Sequence, residues 1–131
     1  MAQTQSLTSE GYAEMTKLLC GEAASAVKSI CPLKTACTAN ESQTAAGVTK
    51  CTESGLTIAD ATVTSEKTTV TDDTVQAVYT HTAGEAATVK GAGLFNDDDD
   101  ALDAIVCYAA DVPMETSDTL KNTFKIQLKT D

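Results

Sequence analysis

Four consecutive carboxylates, Asp97–Asp100, interrupt the otherwise small and apolar run GAGLFNDDDDALDAIVCYAA. Hard cations such as calcium take oxygen ligands of this kind, but calcium loops alternate ligands with spacers and bend at a glycine. Adjacent aspartates point in divergent directions, and no glycine lies within the run. The expectation is a solvated turn between two strands, with Asn96 adding turn-forming chemistry. The single histidine, His81, cannot complete a zinc set, and Cys20, Cys31, Cys37, Cys51 and Cys107 contain no Cys-x-x-Cys pair. A thiol–imidazole dyad of His81 with Cys51 or Cys107 is one route to nucleophilic catalysis. Buried structural cysteine is the commoner use of such residues, and no GxSxG, HExxH or phosphate-cradling glycine loop accompanies them. No catalytic, cofactor-binding or metal-ligating residue is therefore assigned, no cofactor is expected, and the chain is read as a non-enzyme. Spacing leaves the thiols free, with a Cys31–Cys37 or Cys31–Cys51 bridge open if the product ends up outside the cell.

The elements that carry these residues fit one domain over 1–131, a length that buries roughly two thirds of the unfolded surface. With 20 Ala and only Phe95, Phe124, Tyr12, Tyr79 and Tyr108 as aromatics, its core must be thin. The 22 Thr suit the exposed faces of strands. A helix over about 8–20 is signalled by Thr8 or Ser9 as N-cap, Glu10 in the first turn and Gly21 as a left-handed stop. Tyr12, Met15, Leu18 and Leu19 form its apolar stripe, which is expected to pack onto the rest of the domain. AVKSIC then reads as a strand that Pro32 stops, and about 32–55 as a loop-rich segment.

From about 56 to 129 the period changes to two. LTIADATV, TVQAVYTHT, ATVKGAGLF, ALDAIVCYA and TLKNTFKIQLK read as strands, with TSEKTT and TAGEAA as hairpin turns. In the last strand Leu120, Phe124, Ile126 and Leu128 alternate with Lys121, Thr123, Lys125, Gln127 and Lys129, one face buried and the other a lysine and threonine comb. Gly91 and Gly93 inside a strand mark a close backbone approach, either within the domain or at a subunit contact. The fold class is mainly β, an antiparallel β-sandwich or flattened barrel with one N-terminal α-helix.

Charge excludes some partners. Nineteen acidic residues against nine Lys, with no Arg, give a net charge of −10. Phosphate binding draws on Arg and a positive face, so nucleic acid is not an expected partner, and anionic membranes repel such a surface. The start MAQTQSLTSEGYAEM lacks a basic stretch leading into an apolar run, so no secretory signal is expected. No apolar stretch is long enough to cross a bilayer, which places synthesis in the cytoplasm.

LTSEGYAEMTKLLCGEA, followed by the run from ESGLTIADATV to NTFKIQL, resembles small structural proteins of tailed bacterial and archaeal viruses. The likeness spans Leu7 to Leu128 and rests on the GLFN element Gly93, Leu94, Phe95 and Asn96, the apolar strand Ala104 to Ala109, and the closing Asp118, Thr119 and Leu120. Two features depart from it: the turn holds four aspartates where small residues are usual, and the loop with Cys31, Cys37 and Cys51 has no counterpart. The resemblance implies a virion protein made in the host cytoplasm, a capsid decoration or head fibre protein that acts by oligomeric attachment to the particle exterior. Its implied partners are itself, as a dimer or trimer, and capsid or other virion proteins. The alternative is a tail fibre, collar or adhesin module with the 32–55 loop and Asp97–Asp100 as its tips.

Overall fold

The two parities of a single strand face different layers. In β7 (Leu102–Met114), Ala104 and Val106 point into a cluster with Ile30, Ala77, Ala92 and Leu94, whereas Ile105 and Cys107 point into another with Cys31, Leu33 and Phe95. The sheet containing β7 is thus buried on both faces, which is why its strands read as near-continuous apolar runs and not as an alternation. The structure, a computed structural model, describes residues 3–34 and 37–128.

The elements are β1 (Thr4–Leu7), α1 (Ser9–Cys20), β2 (Val27–Leu33), β3 (Ala59–Asp60), β4 (Thr62–Glu66), β5 (Thr74–Thr82), β6 (Ala87–Asn96), β7 and β8 (Thr119–Gln127). They form a five-stranded sheet in the order β1-β7-β6-β2-β3 and a three-stranded sheet in the order β4-β5-β8, every pairing antiparallel. The result is a mainly β sandwich with one N-terminal helix, and its sheets do not close into a barrel. The small sheet covers one face of the large sheet. Helix α1 and the excursion between β2 and β3, through Cys37, Ala39, Ala45, Val48 and Ile58, cover the other. Gly91 and Gly93 lie on that second face, fully inside the domain: an added Cβ would stand 2.3 Å from the Val106 carbonyl oxygen at the first and 2.8 Å from the Phe95 ring at the second. Their neighbours at these distances make close packing within the chain their role.

Several local expectations are corrected. The strand expected to stop at Pro32 runs on to Leu33. The N and the carbonyl of a strand residue point to the same side, and the Pro32 carbonyl accepts from Cys51 N at 2.9 Å. Its missing N–H therefore faces the excursion beyond the end of β3 and costs the β6 ladder nothing. TAGEAA is no hairpin turn but a crossing between sheets, since β5 pairs with β8 and β6 with β7. The turn read at TSEKTT lies later, at 67–73, because Asp73 organises it: its carboxylate accepts from the N–H groups of Thr68, Thr69 and Val70 and from the Gln127 amide. Burial alone would raise the Asp73 pKa, and these donors outweigh it and hold the carboxyl well below the usual range. β1 was not foreseen, because four residues at a sheet edge carry no usable period. Lys129, the last tooth of the lysine comb, lies outside the described residues.

The bridge that forms is neither of those left open by spacing. Cys37 pairs with Cys107, tying the excursion to β7 across 70 residues, while Cys31 and Cys51 remain buried thiols and Cys20 an exposed one. A loop of that length loses about 4 kcal/mol of unfolded-state freedom when closed. Reduction, or a Cys37→Ala/Cys107→Ala double variant, is therefore expected to lower unfolding stability by about that amount in denaturant titration. An unchanged midpoint would show the bridge to be absent or inert.

Candidate functional site

The acidic run is the turn of the β6–β7 hairpin, as expected of a solvated connection. Asp97, Asp98 and Asp100 are exposed, and Asp99 takes the left-handed conformation at φ 58°. Buried Asn96 holds the turn: its Oδ1 accepts from Asp100 N at 3.1 Å and Ala101 N at 3.2 Å, and its Nδ2 donates to Asp100 Oδ1 at 2.7 Å. Asp97 pairs with Lys28 at 2.7 Å, and Asp98 accepts from the Ser25 hydroxyl. The carboxylates thus splay onto separate partners, and among the described residues no group of acidic, His or Cys side chains is arranged to hold a metal ion.

Helix α1 sits beside this turn through its backbone. Gly11 packs on β7 so closely that an added Cβ would lie 2.2 Å from the Asp103 carbonyl oxygen. Thr8, fully buried, caps the helix by accepting from Gly11 N at 3.0 Å, while its hydroxyl donates to the Leu102 carbonyl and its N–H to Asp103 O at 3.2 Å. Glu10 accepts from Ala45 N at 2.8 Å and Leu102 N at 2.9 Å, and Glu14 accepts from Ser25 N at 3.0 Å. The clamped line is therefore Gly11 and the acidic residues, not the apolar stripe. Tyr12 is 52% exposed and Leu19 80%, with Leu18 exposed beside them, which corrects the expectation that the stripe is covered. The sequence signal was there in Gly11: a glycine one turn into a capped helix marks a close approach that a purely hydrophobic count misses.

Beneath the helix lies Asp103, 2% exposed, with neither carboxylate oxygen hydrogen-bonded. Burial first, and then the negative charges of Glu14, Glu10 and Asp100, push its pKa up to about 7. It is the opposite of Asp73, whose carboxylate is surrounded by donors.

The residues weighed for catalysis are all buried. His81 is buried, its Nε2 donates to Thr57 O at 3.0 Å, its ring meets Tyr79 edge-on, and burial keeps it neutral by lowering its pKa. Cys107 is consumed in the disulfide. Burial pushes the Cys51 thiol up to about 11 and the Cys31 thiol to about 12, far from the thiolate a nucleophile requires. The 32–55 segment, read as a loop tip, begins as the end of β2 and then packs Cys37, Ala39, Ala45 and Val48 against the large sheet.

A second feature was not foreseen. Because the small sheet has three strands against five, β1 and β7 extend past β8 and leave a groove of about 760 Å³. Leu7, Ala104, Val106, Phe124 and Ile126 line it, with Lys121 and Lys125 at the β8 edge. Buried Asn122 also lines it and accepts from the Tyr108 hydroxyl, while its Nδ2 has no partner among the described residues. Burial raises the Tyr108 phenol to about 12, so that donor stays protonated.

Comparison with protein-family models, with curated proteins and with solved structures finds no match. What the chain offers to a partner must therefore be read from these surfaces: an apolar helix stripe bordered by carboxylates, and an open groove with a lysine edge.

Asp103 gives this region a pH dependence whose sign is fixed. A carboxyl with a raised folded pKa binds its proton more tightly in the folded state, so its contribution is intact below the unfolded value of 3.8 and is lost as pH rises through about 7. Asp103→Asn, which removes the titration, is expected to match the parent near pH 4 and to exceed it by about 2 kcal/mol at pH 8. Denaturant midpoints at the two pH values check this. A gain at pH 4 equal to that at pH 8 would contradict it.

Proposed function

We propose that the chain is a non-enzymatic virion structural protein, a capsid decoration or head fibre component that attaches as a homo-oligomer to the particle exterior. The observation that carries this is the helix stripe. A helix anchored to the sheet by its cap and backbone, with Tyr12, Leu18 and Leu19 held out in solvent, is a rigid presentation of apolar surface, and contiguous exposed apolar residues mark contact sites. Glu10, Glu14, Asp98 and Asp100 nearby deny the same stripe to nucleic acid and anionic lipid and favour a protein partner.

Three further features support the reading. The resemblance to structural proteins of tailed viruses points to the same role. The Cys37–Cys107 bridge suits a product that spends its working life in an oxidising exterior. Attachment through many identical copies lets a small apolar contact hold, because avidity multiplies a weak single interaction. In this mechanism α1 docks its stripe into an apolar recess of the capsid lattice, while the sheet edges serve contacts between copies. The adhesin alternative places recognition on the 32–55 loop, but that loop spends its apolar residues on the large sheet and leaves few to project.

Particles of the virus that encodes the chain, imaged and quantified by mass spectrometry, are expected to carry the protein in hundreds of copies on the head. A Tyr12→Glu/Leu19→Glu variant is expected to retain the parent circular dichroism and melting temperature and to disappear from particles. Undiminished incorporation of that variant, or a handful of copies confined to the tail, would overturn the proposal.

A further inference from the structure

The groove beside β8 is an unfilled strand position. Strands β1 and β7 of the large sheet extend beneath it, yet the small sheet ends at β8, whose outer edge has no neighbour. An uncovered edge above an apolar floor is the arrangement that accepts an added strand: main-chain hydrogen bonds supply affinity, and alternate side chains enter the groove.

We propose that this edge accepts β4 of a second copy of the chain, joining the small sheets of neighbouring protomers head to tail. The occupant is argued from parity and charge. β4, Thr62–Glu66, is the other edge of the same sheet and is exposed along its whole length. Its register opposite β5 pairs Val63 with Ala77, and Ala77 pairs with Phe124 on β8, so Val63 shares the inner face with Phe124 and Ile126. Val63 is 40% exposed in the single chain and would enter the neighbour's groove. Glu66 lies on the outer face, the face of Lys121 and Lys125, neither of which has an ion-pair partner among the described residues.

The same lysines discourage the competing arrangement. Lysine on an edge strand resists pairing with an identical edge, so two β8 strands meeting about a two-fold axis bring Lys121 and Lys125 of both copies together. A β4 strand brings carboxylate to lysine. Both β4 and β8 run antiparallel to β5 and so run in the same direction, which makes the new pairing parallel and the contact head to tail. Contacts of that kind close into rings or continue as filaments and do not stop at a symmetric dimer.

This deepens the oligomeric part of the proposed function and rests on it for nothing else, and the two fail separately. Native mass spectrometry and sedimentation of the full chain, oxidised, are expected to show species of three or more copies. Lys121→Glu/Lys125→Glu is expected to weaken assembly at least tenfold, and Glu66→Lys likewise, each with unchanged circular dichroism. Mixing those two variants, so that reversed charges meet, is expected to restore assembly. A chain that is monomeric at all concentrations, a symmetric dimer as the end state, or single variants whose mixture stays dissociated would each overturn the inference. Restored assembly together with absence from virus particles would uphold it and overturn the virion role.

Discussion

The double-sided burial of the β6–β7 hairpin is the constraint on which the remaining structure depends. Its inner face, through Ala92, Leu94, Ala104 and Val106, needs the small sheet, and its outer face, through Phe95, Leu102, Ile105 and Cys107, needs the helix and the 37–58 excursion. A chain with so few aromatics meets both needs by bringing backbones close. Gly11 lets α1 rest on β7, and Gly91 and Gly93 make room for the disulfide and the Phe95 ring. Thin layers follow, and the apolar residues not needed between them are left on the outside, along α1 and in the groove.

The charges follow the same division. At the joints of the fold carboxylates have donors: Asp73 collects backbone N–H groups, Glu10 fastens the helix start to Leu102 and Ala45, and Asp97 pairs with Lys28. Asp103 is sealed beneath the helix with no donor to either oxygen, and its proton substitutes for a partner. The face around α1 therefore combines an apolar stripe with an acidic border, and the opposite flank combines an apolar groove with a lysine edge. Unlike surfaces on one chain suit ordered attachment, each contact having its own complement.

Much of this was legible from the residues. Thr8 as cap, Gly21 as stop and the period of two in TVQAVYTHT and TLKNTFKIQLK placed α1, β5 and β8 within a residue or two, because caps and alternation are local signals. Asn96 and the aspartates were readable as a turn for the same reason. The partition of strands between sheets was not legible, since β5 and β6 adjoin in sequence yet part in space, and nothing local to TAGEAA records that. The Cys37–Cys107 bridge depends on a pairing 70 residues apart. The bare face of α1 is not legible from its hydrophobic stripe, because Gly11 and not the stripe sets the contact line. The groove arises from a difference in strand number, a property of the assembled sheets alone.

Amide hydrogen exchange on the isolated monomer, dilute and oxidised, tests the central claim most directly. Amides of β6 and β7 between Gly91 and Cys107 should be the slowest in the chain, held by ladders on both sides and covered on both faces. Along β8, alternate amides should exchange rapidly, those turned to the open edge, while those bonded to β5 stay protected. Uniform protection of β8 at the level of β6, or rapid exchange throughout the β6–β7 hairpin, would contradict the account.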